Sequence, residues 1–362
     1  MFYPGKHTIF LLLLLVVIIS LCFSGIYSHT GDDEQDIDIV TLGTVLRIEY
    51  DKSNKYFFTG TNKGHIIMWD ISSGKPIRVF SQHSGDICSL KYFHIPQFLL
   101  SGGSDGSAKL WDINSNTLLV SIKGKLPINT ADLSPDLKTI ITGYWRCPAI
   151  PPWFGLVNLW DAGSGKKKFA IKKPMYVVYK VRFTHNGKSI LILTGKLSVW
   201  DSRARKRLRV FPESVGDILD FSISPDDALV VTCGGEKRVR LWDIATAQEI
   251  KYFSECQDDL RCVSFSEDGS LVAAGGCYGV SIWDVKTGTQ VLHLDSPGRV
   301  IMYVGFSADS KNLFFSDCDA HATLWNLATN SEISHYKIYP WTQGEEGIAT
   351  FILSVKSMFS KK

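Results

Sequence analysis

A tryptophan followed by aspartate or asparagine recurs seven times, at Trp69, Trp111, Trp160, Trp200, Trp242, Trp283 and Trp325. The spacings are 42, 49, 40, 42, 41 and 42 residues, so seven of the ten tryptophans lie on one period. A period of this size means that one supersecondary unit is repeated, and that neighbouring units complete each other's core. Each pair closes an alternating run: HIIMWD, AKLWD, LVNLWD, LSVWD, VRLWD, VSIWD and ATLWN. Period-two alternation is the mark of a strand with one buried face.

Three further phrases share the period. Upstream stands an apolar strand running into a turn rich in Ser, Pro, Asp, Asn and Gly, as in ADLSPDL, VRFTHNG, FSISPDD and VSFSEDG. Between it and the Trp-Asp strand lies a second strand, such as KYFFTG, QFLLSGG, KTIITG or LVAAGG. A polar turn and a fourth strand follow, as in PIRVF, RLRVF and EIKYF. The repeat therefore predicts an all-β chain of seven units with four antiparallel strands in each.

With these motifs in place, the chain resembles the WD-repeat β-propeller family over residues 37–339. The resemblance implies a seven-bladed β-propeller around a central channel, closed so that few sheet edges are exposed. It also implies a structural hydrogen-bond tetrad in the repeat ending at Trp111, formed by His83, Ser101, Asp105 and Trp111. Gln82 replaces the glycine that normally precedes the histidine. The other repeats mostly lack this histidine. They carry Lys63, Glu236 and Cys277 at the aspartate position, while Asp319 keeps the acid. The chain reads as a degenerate member held mainly by apolar strand packing. Two segments compete to close the ring, residues 37–41 and residues 332–338, and a further apolar run at 347–356 resembles the first strand of an eighth repeat. Residues 340–362 are expected to form a tail with that extra strand.

The N-terminus reads as a targeting segment. Lys6 precedes an apolar run over residues 9–23, and GDDEQDID follows it. The run lies between a signal-peptide core and a span of about 20 residues, so residues 1–28 are expected to be either a signal peptide or an N-terminal transmembrane anchor. Residues 29–36 form an acidic linker before the propeller. Positive charge before the run places the remainder outside the cytoplasm, secreted, periplasmic or membrane-anchored.

Composition supports a globular chain: 45% hydrophobic, 21% charged, with a formal net charge of only +3. That balance gives no reason to expect nucleic acid. Eight cysteines form no CxxC, which argues against a zinc ribbon, a thioredoxin-like pair or c-type haem. No cofactor or metal is expected. Local disulfides such as Cys256 with Cys262 are compatible with an oxidising compartment.

Two departures from the repeat point to a binding surface. The long spacing of 49 places GYWRCPAIPPWFG between the second and third strands of the third unit. Its Trp145, Arg146, Trp153 and Phe154 are the residue types that dominate interface hot spots. The alternative is that both tryptophans fold back over the blade. The second departure is basic. Lys166, Lys167, Lys168, Lys172 and Lys173 follow one Trp-Asp, and Arg203, Arg205, Lys206, Arg207 and Arg209 follow the next. Such a patch suits an acidic protein or an anionic membrane surface. It also suits charge placed on outer strands to block edge-to-edge aggregation.

The sequence holds no P-loop, HExxH, GxSxG or GxGxxG. The expected function is a non-enzymatic scaffold for protein–protein interaction outside the cytoplasm. One alternative is a propeller enzyme or small-ligand binder with a site at the central channel, for which His65, His83 and His321 are the nearest candidates by repeat phase. Another is a cytosolic scaffold or substrate receptor whose N-terminus is misread; Trp200–Arg203 fits the WDxR pattern of ubiquitin-ligase substrate receptors, but four residues recur by chance and Arg203 belongs to a basic run.

Overall fold

Each Trp-Asp or Trp-Asn pair ends the third strand of a four-stranded antiparallel sheet, and seven such sheets follow one another along the chain. The computed structural model describes residues 42–144, 155–173, 177–212, 217–253 and 259–338. Blade 1 runs from Val45 to Ser81, blade 2 from Ile87 to Lys123 and blade 3 from Ile128 to Lys173. Blade 4 runs from Lys180 to Val210, blade 5 from Ile218 to Tyr252, blade 6 from Leu260 to Asp295 and blade 7 from Ile301 to Lys337. These blades form one compact unit, Val45–Ile338. The other unit, Met1–Thr44 with Tyr339–Lys362, contributes only residues 42–44 to the described part. Residues 1–41 and 339–362, with the targeting segment, the acidic linker and the run at 347–356, lie outside it. Among the described residues, no helix is long and apolar enough to cross a membrane.

The second and third strands of every blade are the buried ones, and the core lies between neighbouring sheets. One cluster joins Phe58 and Ile66 of blade 1 to Ile87, Leu99 and Trp111 of blade 2. Another joins Leu191 and Val199 of blade 4 to Phe221 and Trp242 of blade 5. The recurring glycine at the end of the second strand has a packing reason. A Cβ on Gly60, Gly102, Gly143 or Gly275 would collide with Ile87, Ile128, Val178 or Ile301, an apolar residue at the start of the next blade. Absence of a side chain lets adjacent sheets approach there.

A polar seam accompanies this packing. The inner strand of each blade is an edge strand, so every second N–H has no ladder partner. Side chains of the preceding blade accept those protons. Glu49 takes the Tyr92 N–H at 3.2 Å, Ser89 the Ala131 N–H at 3.0 Å and Thr130 the Val181 N–H at 3.3 Å. Asp132 takes the Phe183 N–H at 2.8 Å, Asp220 the Val263 N–H at 3.0 Å and Ser222 the Phe265 N–H at 3.1 Å. Burial pushes the Asp132 carboxyl up, with Arg182 and Lys91 pulling the other way. The expectation of blades held mainly by apolar packing is therefore incomplete.

Ring closure exchanges no strand among the described residues. Ser331–Lys337 forms the outer strand of blade 7, and blade 1 supplies all four of its own strands. The two sheets instead meet face to face. Phe57 stacks on Trp69 and packs against Phe314 and Tyr336, while Tyr50 stacks on Phe314 at 4.8 Å. The polar seam also continues, with the Tyr50 N–H donating to the Tyr303 hydroxyl at 3.4 Å. Cys262 is a free, buried thiol, and Cys256, its expected partner, lies outside the described residues.

Candidate functional site

The four residues of the implied tetrad come together in blade 2. His83 Nδ1 lies 3.2 Å from both carboxylate oxygens of Asp105, and its Nε2 lies 2.7 Å from Ser101 Oγ. The indole N–H of Trp111 donates to the same Ser101 Oγ at 3.1 Å. A neutral imidazole with its proton on Nδ1 satisfies the chain, donating to Asp105 and accepting from the Ser101 hydroxyl. Burial holds His83 below the ordinary histidine value, against the opposing pull of Asp105. Burial resists ionisation of Asp105 as well, yet bonds from Ser107 and Ser84 hold it down to about 2. Gly103 is required here, because a Cβ would stand 2.7 Å from His83 Nδ1.

Blades 1, 3, 4 and 5 lack the histidine but keep the last link of the tetrad, a hydroxyl for the indole, whereas in blade 7 the Trp325 indole donates to Asn330 Oδ1 at 3.3 Å. Trp69 donates to Thr59, Trp160 to Thr142 and Trp242 to Thr232, each at 2.9 Å. In blade 4 the acceptor moves to Ser198, two residues before Trp200. This signal was available in the sequence as the Thr or Ser before the second-strand Gly or Cys, as in FTG, LSG, ITG and VTC. In blade 5, Glu236 binds Arg240 bidentately, with Oε1 to Nε and Oε2 to Nη2 both at 2.7 Å, and Glu249 binds the third guanidinium corner.

The basic residues lie on the rim of blades 3 and 4. Lys166, Lys167, Lys168, Arg203, Arg205, Lys206, Arg207 and Arg209 are all exposed. The backbones of Lys172 and Lys173 belong to the outer strand of blade 3. Lys168 pairs with Asp161 at 2.9 Å, and Lys167 lies over the Trp160 ring. Arg205 places its guanidinium 4.6 Å from the centroid of Phe169 and so ties the turn of blade 4 to the outer strand of blade 3. Thr246, and more weakly Arg209, hold the Asp243 carboxyl down. Arg203, Lys206 and Arg207 have no carboxylate partner among the described residues. The candidate loop with Trp145, Arg146, Trp153 and Phe154 lies outside the described residues.

His65, His83 and His321 do not converge. His65 Nδ1 meets Ser81 Oγ at 2.7 Å, and His83 is held in the tetrad. His321 lines a cleft of about 300 Å³ between blades 6 and 7, with His293, Arg299, Asp317 and His335. Its ring stacks on that of His335, with centroids 5.5 Å apart. His321 Nδ1 is 3.4 Å from Asp317 Oδ2 but makes no hydrogen bond. His293 and His335 had no role in the sequence reading. They occupy equivalent outer-strand positions, facing Ser281 at 2.8 Å and Thr323 at 3.0 Å. Among the described residues, no group of three or more His, Cys, Asp or Glu is placed to hold a metal ion.

The family model described as WD domain, G-beta repeat matches residues 74–112, 205–243 and 247–284. Each matched stretch starts near the outer strand of one blade and ends on the Trp-Asp of the next. Autophagy-related protein 16 of Arabidopsis thaliana is 24% identical over 242 residues, 65% of this chain and 46% of the relative. The chain thus spans just under half of that protein. Serine-threonine kinase receptor-associated protein of Dictyostelium discoideum is 23% identical over 57% of this chain and 82% of the relative. Target of rapamycin complex subunit LST8 of Rattus norvegicus is 23% identical over 60% of this chain and 67% of the relative. The tryptophan period, the blade topology and these matches agree that the chain carries WD40 repeats, folded as a seven-bladed β-propeller.

Proposed function

We propose that this protein is a non-enzymatic scaffold that holds a protein partner on the rim of its propeller. The observation that carries the reading is the cluster Arg203, Lys206 and Arg207, exposed and without carboxylate partners among the described residues, on blades locked together by sheet packing and by Arg205 over Phe169. A rigid platform lowers the ordering cost of binding, and unpaired guanidinium groups favour bidentate capture of carboxylates. Similarity to a receptor-associated protein and to a subunit of the target of rapamycin complex supports a role in assemblies. The apolar run at 9–23 and its flanking charges support placing the propeller outside the cytoplasm. Proximity labelling in cells, comparing the native chain with Arg203→Glu/Lys206→Glu/Arg207→Glu, tests the reading. Loss of a defined set of partners is expected, and an unchanged set rules out this rim. Protease protection of the same cells tests the location.

A second reading, a small-ligand binder, is favoured by one observation: the cleft between blades 6 and 7 with the unbonded Nδ1 of His321. A ligand there would leave partner capture untouched by the charge reversals and make it sensitive to His321→Phe.

A further inference from the structure

Blade 7 lacks the tetrad, and the cleft of about 300 Å³ stands in its place. The ladders give the correspondence. In blade 2, Leu99 pairs with Trp111 and Ile87 with Gly103; in blade 7, Leu313 pairs with Trp325 and Ile301 with Asp317. Phe315 therefore holds the position of Ser101, Asp317 that of Gly103 and His321 that of Ser107. Pro297 stands four residues before Ile301, where blade 2 has His83 before Ile87. Two consequences follow. A phenyl ring offers no oxygen to the indole, so the Trp325 N–H turns to Asn330. The other six repeat tryptophans are at most 6% exposed, whereas Trp325 and Phe315 are half-buried and line the cleft. The glycine position now carries a carboxylate as well. Asp317 Oδ1 accepts the N–H groups of Asp319 and His321, both at 2.9 Å. Its Oδ2 takes no hydrogen bond among the described residues: Arg299 Nη1 stands 3.6 Å away, and His321 Nδ1, itself buried without a hydrogen-bond partner, stands 3.4 Å away.

We infer that this cleft takes a guanidinium group, carried by free arginine or by an arginine side chain of a partner protein. The inference rests on the second reading above, the cleft as a ligand site, and names its ligand. Its lining carries Asp295, Asp317 and Glu332 against the single cation Arg299, so the local field favours a cation over an anion. The Asp317 side chain is only 6% exposed, and an N–H donated to its Oδ2 by a cation makes a strong, charge-assisted bond. A donor placed there also comes beside the orphan Nδ1 of His321. The rings of Phe315 and Trp325 suit the flat face of a guanidinium, which is weakly hydrated and stacks on aromatic rings. An ammonium is compact and strongly hydrated, and gains less from such walls. The volume is at the lower limit for a ligand pocket, enough for one side chain and too small for a large cofactor. Arg299 is 44% exposed and outside hydrogen-bond distance of Asp317, so it leaves Oδ2 open while opposing the incoming cation by like charge.

Calorimetric titration of the full-length chain in mild detergent tests the inference with four probes: a capped Gly-Ser-Arg-Ser-Gly peptide, free arginine, the same peptide with lysine for arginine, and inorganic phosphate. Saturable binding of the arginine probes is expected. Tighter binding of the peptide assigns the group to a partner protein, and tighter binding of free arginine assigns it to a small molecule; both uphold the guanidinium. Asp317→Asn keeps the oxygen that caps the turn and removes the charge, and is expected to weaken binding at least about tenfold. Phe315→Thr gives blade 7 the hydroxyl that Thr59 gives blade 1, and is expected to weaken binding about threefold by removing one wall. Arg299→Ala is expected to tighten it about threefold, the size of an exposed charge interaction. Circular dichroism and melting verify that the variants fold; should Asp317→Asn not fold, Arg299→Ala, whose side chain is exposed, decides by the sign of its effect. Phosphate binding that Arg299→Ala weakens overturns the guanidinium and leaves the cleft standing as a ligand site. Equal binding of the lysine peptide overturns recognition of a planar cation. Arginine binding indifferent to all three variants lies elsewhere and overturns the inference, and binding of none of the four probes overturns it together with the ligand-site reading.

Discussion

The hydroxyl of Tyr336 donates to the carbonyl oxygen of Ile71 at 2.6 Å, across a sequence separation of 265 residues. With Phe57 buried between Trp69, Phe314 and Tyr336, this contact joins the last blade to the first. Among the described residues, side-chain packing carries this contact and no strand is exchanged. Tyr336→Phe is expected to cost about 1 kcal/mol, the net value of a hydrogen bond. Phe57→Ala is expected to cost about 3–5 kcal/mol, because it removes a fully buried ring. Urea melts measure both. Tyr303→Phe is expected to speed exchange of the Tyr50 amide and leave the Tyr92 amide, held by Glu49, unchanged.

The tetrad of blade 2 makes stability depend on pH in a defined direction. His83 titrates below its ordinary value of 6.5 because burial penalises its charged form. The folded state therefore binds fewer protons than the unfolded chain as pH falls below 6.5, and stability declines there. Asp105 is held down to about 2 against an ordinary 3.8, so its contribution, present above 3.8, is lost as pH falls through that lower window. His83→Gln is expected to flatten the fall in melting temperature just below pH 6.5 while keeping the loss below about pH 4. A profile in which the native chain and His83→Gln fall in parallel across the upper window assigns the dependence to other groups.

Gly60 and Ile87 form a size-matched pair across the first interface. A methyl on Gly60 has no space beside the Ile87 side chain. Gly60→Ala is expected to cost about 1–3 kcal/mol by overpacking. Ile87→Ala alone is expected to cost about 2–5 kcal/mol as a cavity. The double variant is expected to be more stable than the sum implies, by a coupling of about 1 kcal/mol or more, because the added methyl enters the space that the isoleucine vacates. A thermodynamic cycle by urea denaturation measures it, and additivity would remove the packing explanation of the recurrent glycine.

The period of Trp69 to Trp325 was sufficient to read the blade count and strand order, because a repeat imposes one solution seven times. The tetrad was legible through the resemblance, which implies one geometry for His83, Ser101, Asp105 and Trp111. The inter-blade seam was not. Ser89, Thr130 and Asp220 are ordinary strand residues until the neighbouring blade brings an edge N–H to each. The cleft at His321 was hidden too, because it depends on Arg299, Asp317 and His335 arriving from two further strands of blade 7 and its entry loop. On the rim, the charges were plain in sequence, but only the structure shows that Arg207–Val210 is an outer strand exposed at all four residues.

Blade 5 shows how a repeat that lost its histidine is held. Glu236 stands at the tight-turn acid position, and its two oxygens take Nε and Nη2 of Arg240, with side-chain exposures of 8% and 12%. Both glutamates raise the Arg240 pKa further, so the guanidinium stays charged at any working pH. Removing one partner leaves the other charge half-desolvated, and Arg240→Ala is expected to cost about 2–4 kcal/mol. Arg240→Lys is expected to recover less than half of that, because an ammonium cannot match a carboxylate at two points. Glu236→Gln keeps the shape and removes the charge, and is expected to fall between them. Added salt is expected to change these differences little, since a pair this enclosed is weakly screened. Melting of the three variants at low and high ionic strength decides: equal behaviour of Arg240→Lys and the native chain would show that charge alone, without the planar fork, holds the blade.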